Sequence, residues 1–376
     1  MKITQRAVVL LLFTALFTSR LSAQETTLSG LQRKQFQTEV NGNYVDLFTL
    51  TNKNGMEVCI TNYGGRVVSI MAPDKNGKME DVVCGFPSIQ DYMELRQNFG
   101  AAIGRYIGRI LNARFTLDSI EYKLNGTKHC SHGGYPGFAD RVWSPRQEDP
   151  QTLYLYYLSP DGENGFPGNL NVCLIYKLTD DNALDIVYEA TTDKPTVVNL
   201  SHHSFFNISG NLSSSIENEY LQIDSDYITE YDENKCVTGD FLPVKDTPFD
   251  FNEPMLIGKN IDAEDEQLKV TKGYDHTWVL NTNGDDTAMA IRLTDPNSGR
   301  TLEVYTTEPG IQVYTANGLN GKTIGKNGIA YPRRGAVCFE AMHFSDSPNK
   351  PNFPSTVLRP GNTYYTHTVY KFGTIK

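Results

Sequence analysis

Leu153–Leu158 (LYLYYL), Asn171–Leu178 (NVCLIYKL) and Ala183–Ala190 (ALDIVYEA) are three short runs rich in Tyr, Leu, Val and Ile. Aromatic and β-branched side chains suit a pleated, half-buried surface, so each run predicts a strand. Asp161-Gly162, Asn164-Gly165 and Pro167-Gly168 separate the first two. Gly and Asn accept positive φ and Pro fixes φ, so these dipeptides predict turns. The same pattern extends outward through Val45–Leu50, Glu57–Thr61, Ala288–Leu293, Leu302–Thr306, Ala336–Phe344 and Tyr364–Phe372. Further turn chemistry stands at 74–77, Asn283-Gly284 and 295–299. One short helix is predicted after Ser88, which would cap it. Long amphipathic helices are absent from the pattern. Many short strands without crossover helices predict an all-β fold, a large antiparallel β-sandwich.

The chain has 376 residues, 39% hydrophobic and 21% charged. Length alone would suggest two domains, but large all-β folds exceed that rule. No linker, charge block or repeat divides the chain, so residues 24–376 are read as a single domain, with 24–40 an irregular lead-in. Residues 1–23 read differently. Lys2 and Arg6 precede the apolar run Ala7 to Phe17, and Leu21-Ser22-Ala23 closes it with small residues. This is the layout of a secretory signal peptide. The run is too short to span a bilayer, and no Cys follows to carry a lipid, so no membrane anchor is expected. The expected location is outside the cytoplasm, periplasmic or secreted. The net charge of −10 repels polyphosphates and excludes nucleic acid as a partner.

Six cysteines lie at wide, irregular spacings, and Cys59, Cys173 and Cys338 fall inside predicted strands. They are read as free thiols. His129-Cys130-Ser131-His132 has no matching second half, so no metal site is expected there.

Four places could carry chemistry. His202-His203 lies in the stretch 196–206, and strand alternation would put Asn199, Ser201 and His203 on one face and His202 on the other. That polar face could meet a ligand, although a strand histidine is more often packed. Glu340 would share a face with Cys338 and Met342. Burial among apolar neighbours raises a carboxyl pKa and tunes it as a general base; the bland alternative is a strand end reaching solvent. Asp275 and Arg109 are hydrogen-bonding residues near aromatics, as a sugar site needs, and each alone would be a surface residue.

Nine segments in order resemble those of the aldose 1-epimerase family across nearly the whole chain after residue 23. They include Asn62–Gly65, Gly104-Arg105-Tyr106 with Arg109-Ile110, His132-Gly133-Gly134, Gly165–Leu170, Asn199–Asn207, Thr247–Phe251, Gly273–His276, Glu308–Tyr314 and Glu340–Asp346. The resemblance implies the family's many-stranded sandwich and interconversion of the α and β anomers of a free hexose, galactose or glucose. By position, Glu340 matches the family's general base and His203 its general acid. His132, Arg109, Asp275 and Gln312 match the groups that hold sugar hydroxyls. No cofactor is implied, the partner is a small sugar, and a monomer or weak dimer is expected. Two positions depart from the pattern: Gly108 stands where the family usually has Asn, and Met342 where it has Gln. A missing amide at Gly108 predicts that Gly108→Asn would tighten sugar binding; if Gly108 is instead a backbone requirement, Asn would destabilise the fold. A hexose-6-phosphate epimerase would need a basic phosphate pocket, which the sequence does not locate. A glycoside hydrolase would use two carboxylates, and a non-catalytic carbohydrate-binding protein would need neither Glu340 nor His203.

Overall fold

The computed structural model describes residues 26–375, so the expected leader at 1–23 lies outside the described residues. Nine antiparallel strands form one large sheet. The three runs that opened the sequence reading are its consecutive neighbours Thr152–Ser159, Leu170–Leu178 and Ala183–Thr192. The last of these pairs with the C-terminal strand Tyr364–Thr374, which pairs in turn with Arg300–Thr306. Alternation decides which side chains go inside. In Leu170–Leu178 the buried residues recur at every second position, giving Leu170, Val172, Leu174, Tyr176 and Leu178.

A five-stranded sheet faces this one. Its order is Val237–Pro243, Ser225–Tyr231, Asp275–Leu280, Gly310–Tyr314 and Cys338–Met342, all antiparallel. Trp278, Ile311, Val313, Phe339 and Ala341 point from it into the main core, where they meet Leu174, Ile186, Tyr188 and Tyr370 of the large sheet. Apolar burial of this kind contributes roughly 25 cal/mol per Å² and drives the packing. A four-stranded sheet, Leu47–Thr51 to Met79–Asp81, adds Val58, Ile60, Val67 and Ile70 to the same core.

Buried tyrosines of the large sheet reach across this core. The Tyr188 hydroxyl donates to the Ser201 carbonyl at 2.8 Å, Tyr370 to the Phe339 carbonyl at 2.6 Å, and Tyr176 to the Gly65 carbonyl at 2.6 Å. Burial holds all three phenols well above their ordinary pKa, so they stay protonated and act as donors.

The helix after Ser88 runs from Ile89 to Leu95, with the Ser88 hydroxyl accepting from the Asp91 amide. A second helix, Glu266–Thr271, is capped by Asp265 and was not expected. Some expected bounds change. Ala288–Leu293 becomes Ile291–Thr294, because Ala288 closes a turn onto the Asp285 carbonyl. The stretch 196–206 is two short strands, Thr196–Val197 and Ser201–His203, separated by a break. The lead-in is more ordered than expected: Arg33 makes two hydrogen bonds to Asp46, and Thr38–Val40 forms a hairpin with Asn43–Val45. All six cysteines are unpaired thiols.

Candidate active site

The outer face of the five-stranded sheet is the floor of a cavity of about 760 Å³. Register explains which side chains it receives. Gln312 lies opposite both Thr277 and Glu340, and Asp275 lies opposite Tyr314. Residues two apart in a strand share a face. Asp275, Gln312, Tyr314, Glu340 and Met342 therefore all line the cavity, while Trp278, Ile311, Val313, Phe339 and Ala341, on the alternate positions, fill the core. Cys338–Met342 is buried at all five positions because it has core on one side and the cavity floor on the other.

His203 comes from the adjoining strand Ser201–His203. The Ser201 hydroxyl donates to the Ala341 carbonyl at 2.7 Å and ties the two strands together. His203 Nε2 then lies 3.3 Å from Glu340 Oε1, with both side chains buried. The imidazole stacks on Phe205, ring centres 5.0 Å apart and planes at 9°. Burial acts on both partners against charge. It raises the Glu340 carboxyl well above the carboxylate range, helped by Asp275 and opposed by Arg109. It lowers His203 well below the usual imidazole range, helped by His132 and His202. The pair therefore holds one proton between two adjoining groups.

The antiparallel pair of Arg109–Leu111 with His129–Ser131 supplies two more residues. Arg109 faces Glu340 and Asp275 and pulls both carboxyls down. Its guanidinium donates to the Lys235 carbonyl at 3.4 Å. His132 follows the second of these strands with φ of 50°, and its amide donates to the Gly108 carbonyl at 2.9 Å. Gly133 must be glycine: its φ is +80°, and a Cβ would lie 2.1 Å from the Gly104 carbonyl oxygen. Burial pushes His132 down to about 4, so its ring is neutral and can give or take one hydrogen bond on either nitrogen. Gln312 is oriented by its neighbours. Its Oε1 accepts from Thr277 at 2.5 Å and Tyr231 at 3.3 Å, which leaves its amide to donate to Asp275 Oδ1 at 2.8 Å.

All six residues singled out in the sequence line this one cavity. Other expectations change. Asn199 and Ser201 do not face it: Asn199 clamps the His343 backbone, donating to its carbonyl at 2.8 Å and accepting from its amide at 3.1 Å. The polar face reduces to His203 because the strand is interrupted between Val197 and Ser201 and the Ser201 hydroxyl is tied to the Ala341 carbonyl. His202 points the other way, between Tyr176 at 3.2 Å and Ser204 at 2.7 Å, and burial pushes it down to about 3. His202→Asn is thus expected to lower stability by about 1 kcal/mol and leave kcat nearly unchanged. A thermal melt and polarimetry check this, and a loss of kcat exceeding that of His203→Asn would reverse the assignment of faces.

Met342 is a wall residue, packed against Ile103, Ile107 and Ala139. The stretch His129–His132 does not assemble a ligand cluster. Among the described residues the group with ligand atoms within 4.8 Å is His203, Cys338 and Glu340. Burial raises the Cys338 thiol well above its usual range, so it is a protonated, poor ligand in that state. Sequence reasoning missed Tyr231, Thr277, Phe205 and Lys235. Tyr314 was within reach of it, since it alternates with Gln312 in one strand.

A deep polar cavity on a β-sandwich, with a carboxyl and an imidazole sharing a proton under hydrogen-bonding residues, defines an acid–base enzyme for a small polar substrate. The family model for aldose 1-epimerase matches residues 46–371. Mouse galactose mutarotase is 38% identical over 333 residues, 88% of this chain and 95% of that protein. The Escherichia coli K12 aldose 1-epimerase is 37% identical over 331 residues, 87% of this chain and 94% of that protein. The solved structure of an aldose epimerase homologue from C. elegans superposes with a TM-score of 0.81 at 28% identity, covering 88% of this chain and all of that one. The chain belongs to the aldose 1-epimerase family, enzymes that interconvert the anomers of aldoses.

These relatives correct the expected location. Mouse and human galactose mutarotases align across 95% of their length, and mammalian cells have no periplasm. The reading of a periplasmic or secreted protein therefore does not stand. No helix among the described residues is long and apolar enough to cross a membrane.

Proposed function

We propose that His203 and Glu340 are the acid–base pair that opens and closes the ring of a free hexose, galactose or glucose. Glu340 takes the proton of the C1 hydroxyl and His203 delivers one to the ring oxygen. Rotation about C1–C2 exposes the other aldehyde face, and the reverse transfers close it. The observation that carries this reading is the 3.3 Å approach of His203 Nε2 to Glu340 Oε1 on the buried floor. A hemiacetal carbon holds both of its oxygens on one atom, so the acid and the base must reach neighbouring oxygens. Two side chains in contact meet that demand, whereas glycosidase carboxylates stand about 5 Å or more apart. Arg109, His132, Asp275 and Gln312 hold the hydroxyls above the floor. Residues 24–376 act as one catalytic unit, a monomer or weak dimer. The relatives' name makes galactose the first sugar to try. Polarimetry on freshly dissolved α-galactose and α-glucose tests the reading; an unaccelerated approach to equilibrium with both would sink it.

The pair works only while it carries one proton in total. Acid adds a second proton to the pair and alkali removes the last; in the reactive form the shared proton sits on His203 and leaves Glu340 a carboxylate. Burial lowers the first of these macroscopic pKa values and raises the second. The expected kcat/KM profile is a bell whose two limbs lie outside the ordinary His and Glu range, with a broad plateau through neutrality. A narrow peak would contradict it. Neither transfer calls on a metal, so added chelator is expected to leave turnover unchanged, and a loss of activity would reveal an ion bound at the His203–Cys338–Glu340 group.

A further inference from the structure

The cavity carries the opposite charge to the protein around it. The chain has 44 acidic and 34 basic residues, yet the charged side chains lining the cavity are Arg96, Arg109, Lys235, Lys272 and Lys322 against two carboxylates, Asp275 and Glu340. Those carboxylates sit on the floor, where burial raises both and weakens their negative charge. The rim is cationic. Among the described residues, Arg96, Lys235, Lys272 and Lys322 have no ion-pair partner. Arg96 lies only over the Tyr135 ring, at 4.6 Å.

The backbone beneath three of these cations makes their presence informative. Arg96, Lys235 and Lys272 have φ of 50°, 62° and 64°. Such left-handed positions favour Gly or Asn, and a side chain with a Cβ is strained there. Arg96 and Lys272 end the two helices, where a glycine commonly stands and where the helix dipole also welcomes a cation. Lys235 follows no helix and turns between Ser225–Tyr231 and Val237–Pro243. Four loops far apart in sequence thus place unpaired cations around one opening.

We propose that the preferred substrate of this site is an aldose bearing an anionic group, a uronate carboxylate or a sugar phosphate, whose charge rests at the Arg96–Lys235–Lys272–Lys322 rim while its hemiacetal meets the floor. This rests on the acid–base reading of His203 and Glu340. A neutral hexose would leave the rim unused. An anion is drawn in by it, because a cleft lined with one sign of charge focuses the field and raises local substrate concentration. Arg96, Lys272 and Lys322 are exposed and Lys235 half-buried, so salt screens the rim over about 8–10 Å. The advantage therefore lies in KM and association rather than in kcat.

The test compares α-galacturonate, α-glucose 6-phosphate and α-galactose, with anomer exchange followed by NMR at about 20 mM and about 500 mM salt. Expected is a kcat/KM about tenfold or more higher for at least one anionic sugar at low salt, with the gap closing at high salt. Which anion benefits names the source of the charge. Lys272→Glu combined with Lys322→Glu should remove the advantage of the anionic sugar over galactose. Lys272→Ala with Lys322→Ala should reduce it by part, and this pair serves if the reversed charges unfold the protein. Anionic sugars turned over no better than galactose, or a preference indifferent to salt and to both double variants, would overturn the proposal. Failure to turn over any of the three sugars would instead overturn the acid–base reading beneath it.

Discussion

Glu340→Gln and His203→Asn are each expected to lower kcat by about two orders of magnitude or more, with sugar binding still measurable. Both keep a polar side chain of similar reach and remove its proton function. The two should differ in stability. Glu340 is buried and its carboxyl is pushed towards the neutral form, so Gln is close to an isostere of the state the fold already favours. Its stability should be unchanged or slightly higher, since burying a charge is what costs. His203→Asn gives up the ring stacked on Phe205 at 5.0 Å and should be less stable. Because the residues act as one proton-sharing unit, the double variant should be little slower than either single one. Turnover near wild type in either single variant would refute its assignment, and a double variant slower by the product of the two losses would show that they act independently.

Gly108→Asn is the second large effect, and its sign is opposite to the one the sequence suggested. The missing amide implied a vacancy that Asn would fill with a sugar contact. The structure shows no such vacancy. Gly108 has φ of +78°, and a Cβ there would lie 2.2 Å from Ser345 Oγ, 3.1 Å from Met342 Cε and 3.2 Å from Ser345 Cβ. Asn tolerates the left-handed region better than most residues, but it cannot share space with Ser345, which is itself buried and lines the cavity. Overpacking of this kind costs about 1–3 kcal/mol. We expect a lowered Tm and a KM that rises, because Ser345 is pushed into the sugar's space. Ser345→Ala removes the nearest atom and should recover part of both losses in the double variant. A folded Gly108→Asn enzyme with lower KM and an unchanged melt would restore the vacancy reading.

How much could be read in advance follows from the range of each signal. Strands of the large sheet were legible because β-rich runs and turn residues are local. Ala288 to Ala290 misled, since apolar identity does not separate a strand from a turn closing on Asp285. Glu340 was legible as a buried carboxyl because strand alternation placed it between Cys338 and Met342. Alternation failed for Asn199, where the interruption between Val197 and Ser201 turns the side chain onto His343. The rim of Arg96, Lys235, Lys272 and Lys322 was invisible, because nothing local marks loops that only the folded chain brings together. The Gly108 reading failed for the same reason, since the obstructing Ser345 is remote in sequence.

The tyrosines that cross the core bear on how such an enzyme could acquire new substrates. Their hydroxyls hold the backbone at Ser201 and Phe339, so the strands carrying His203 and Glu340 are braced from behind, by groups that do not line the cavity. The rim cations hang instead on helix ends and loops. A sequence drifting at the rim can sample new ligands without disturbing the positions of His203 and Glu340. Chemistry and selectivity are thereby separable in evolution and in engineering: the loops can be rebuilt for another sugar while the floor is inherited intact.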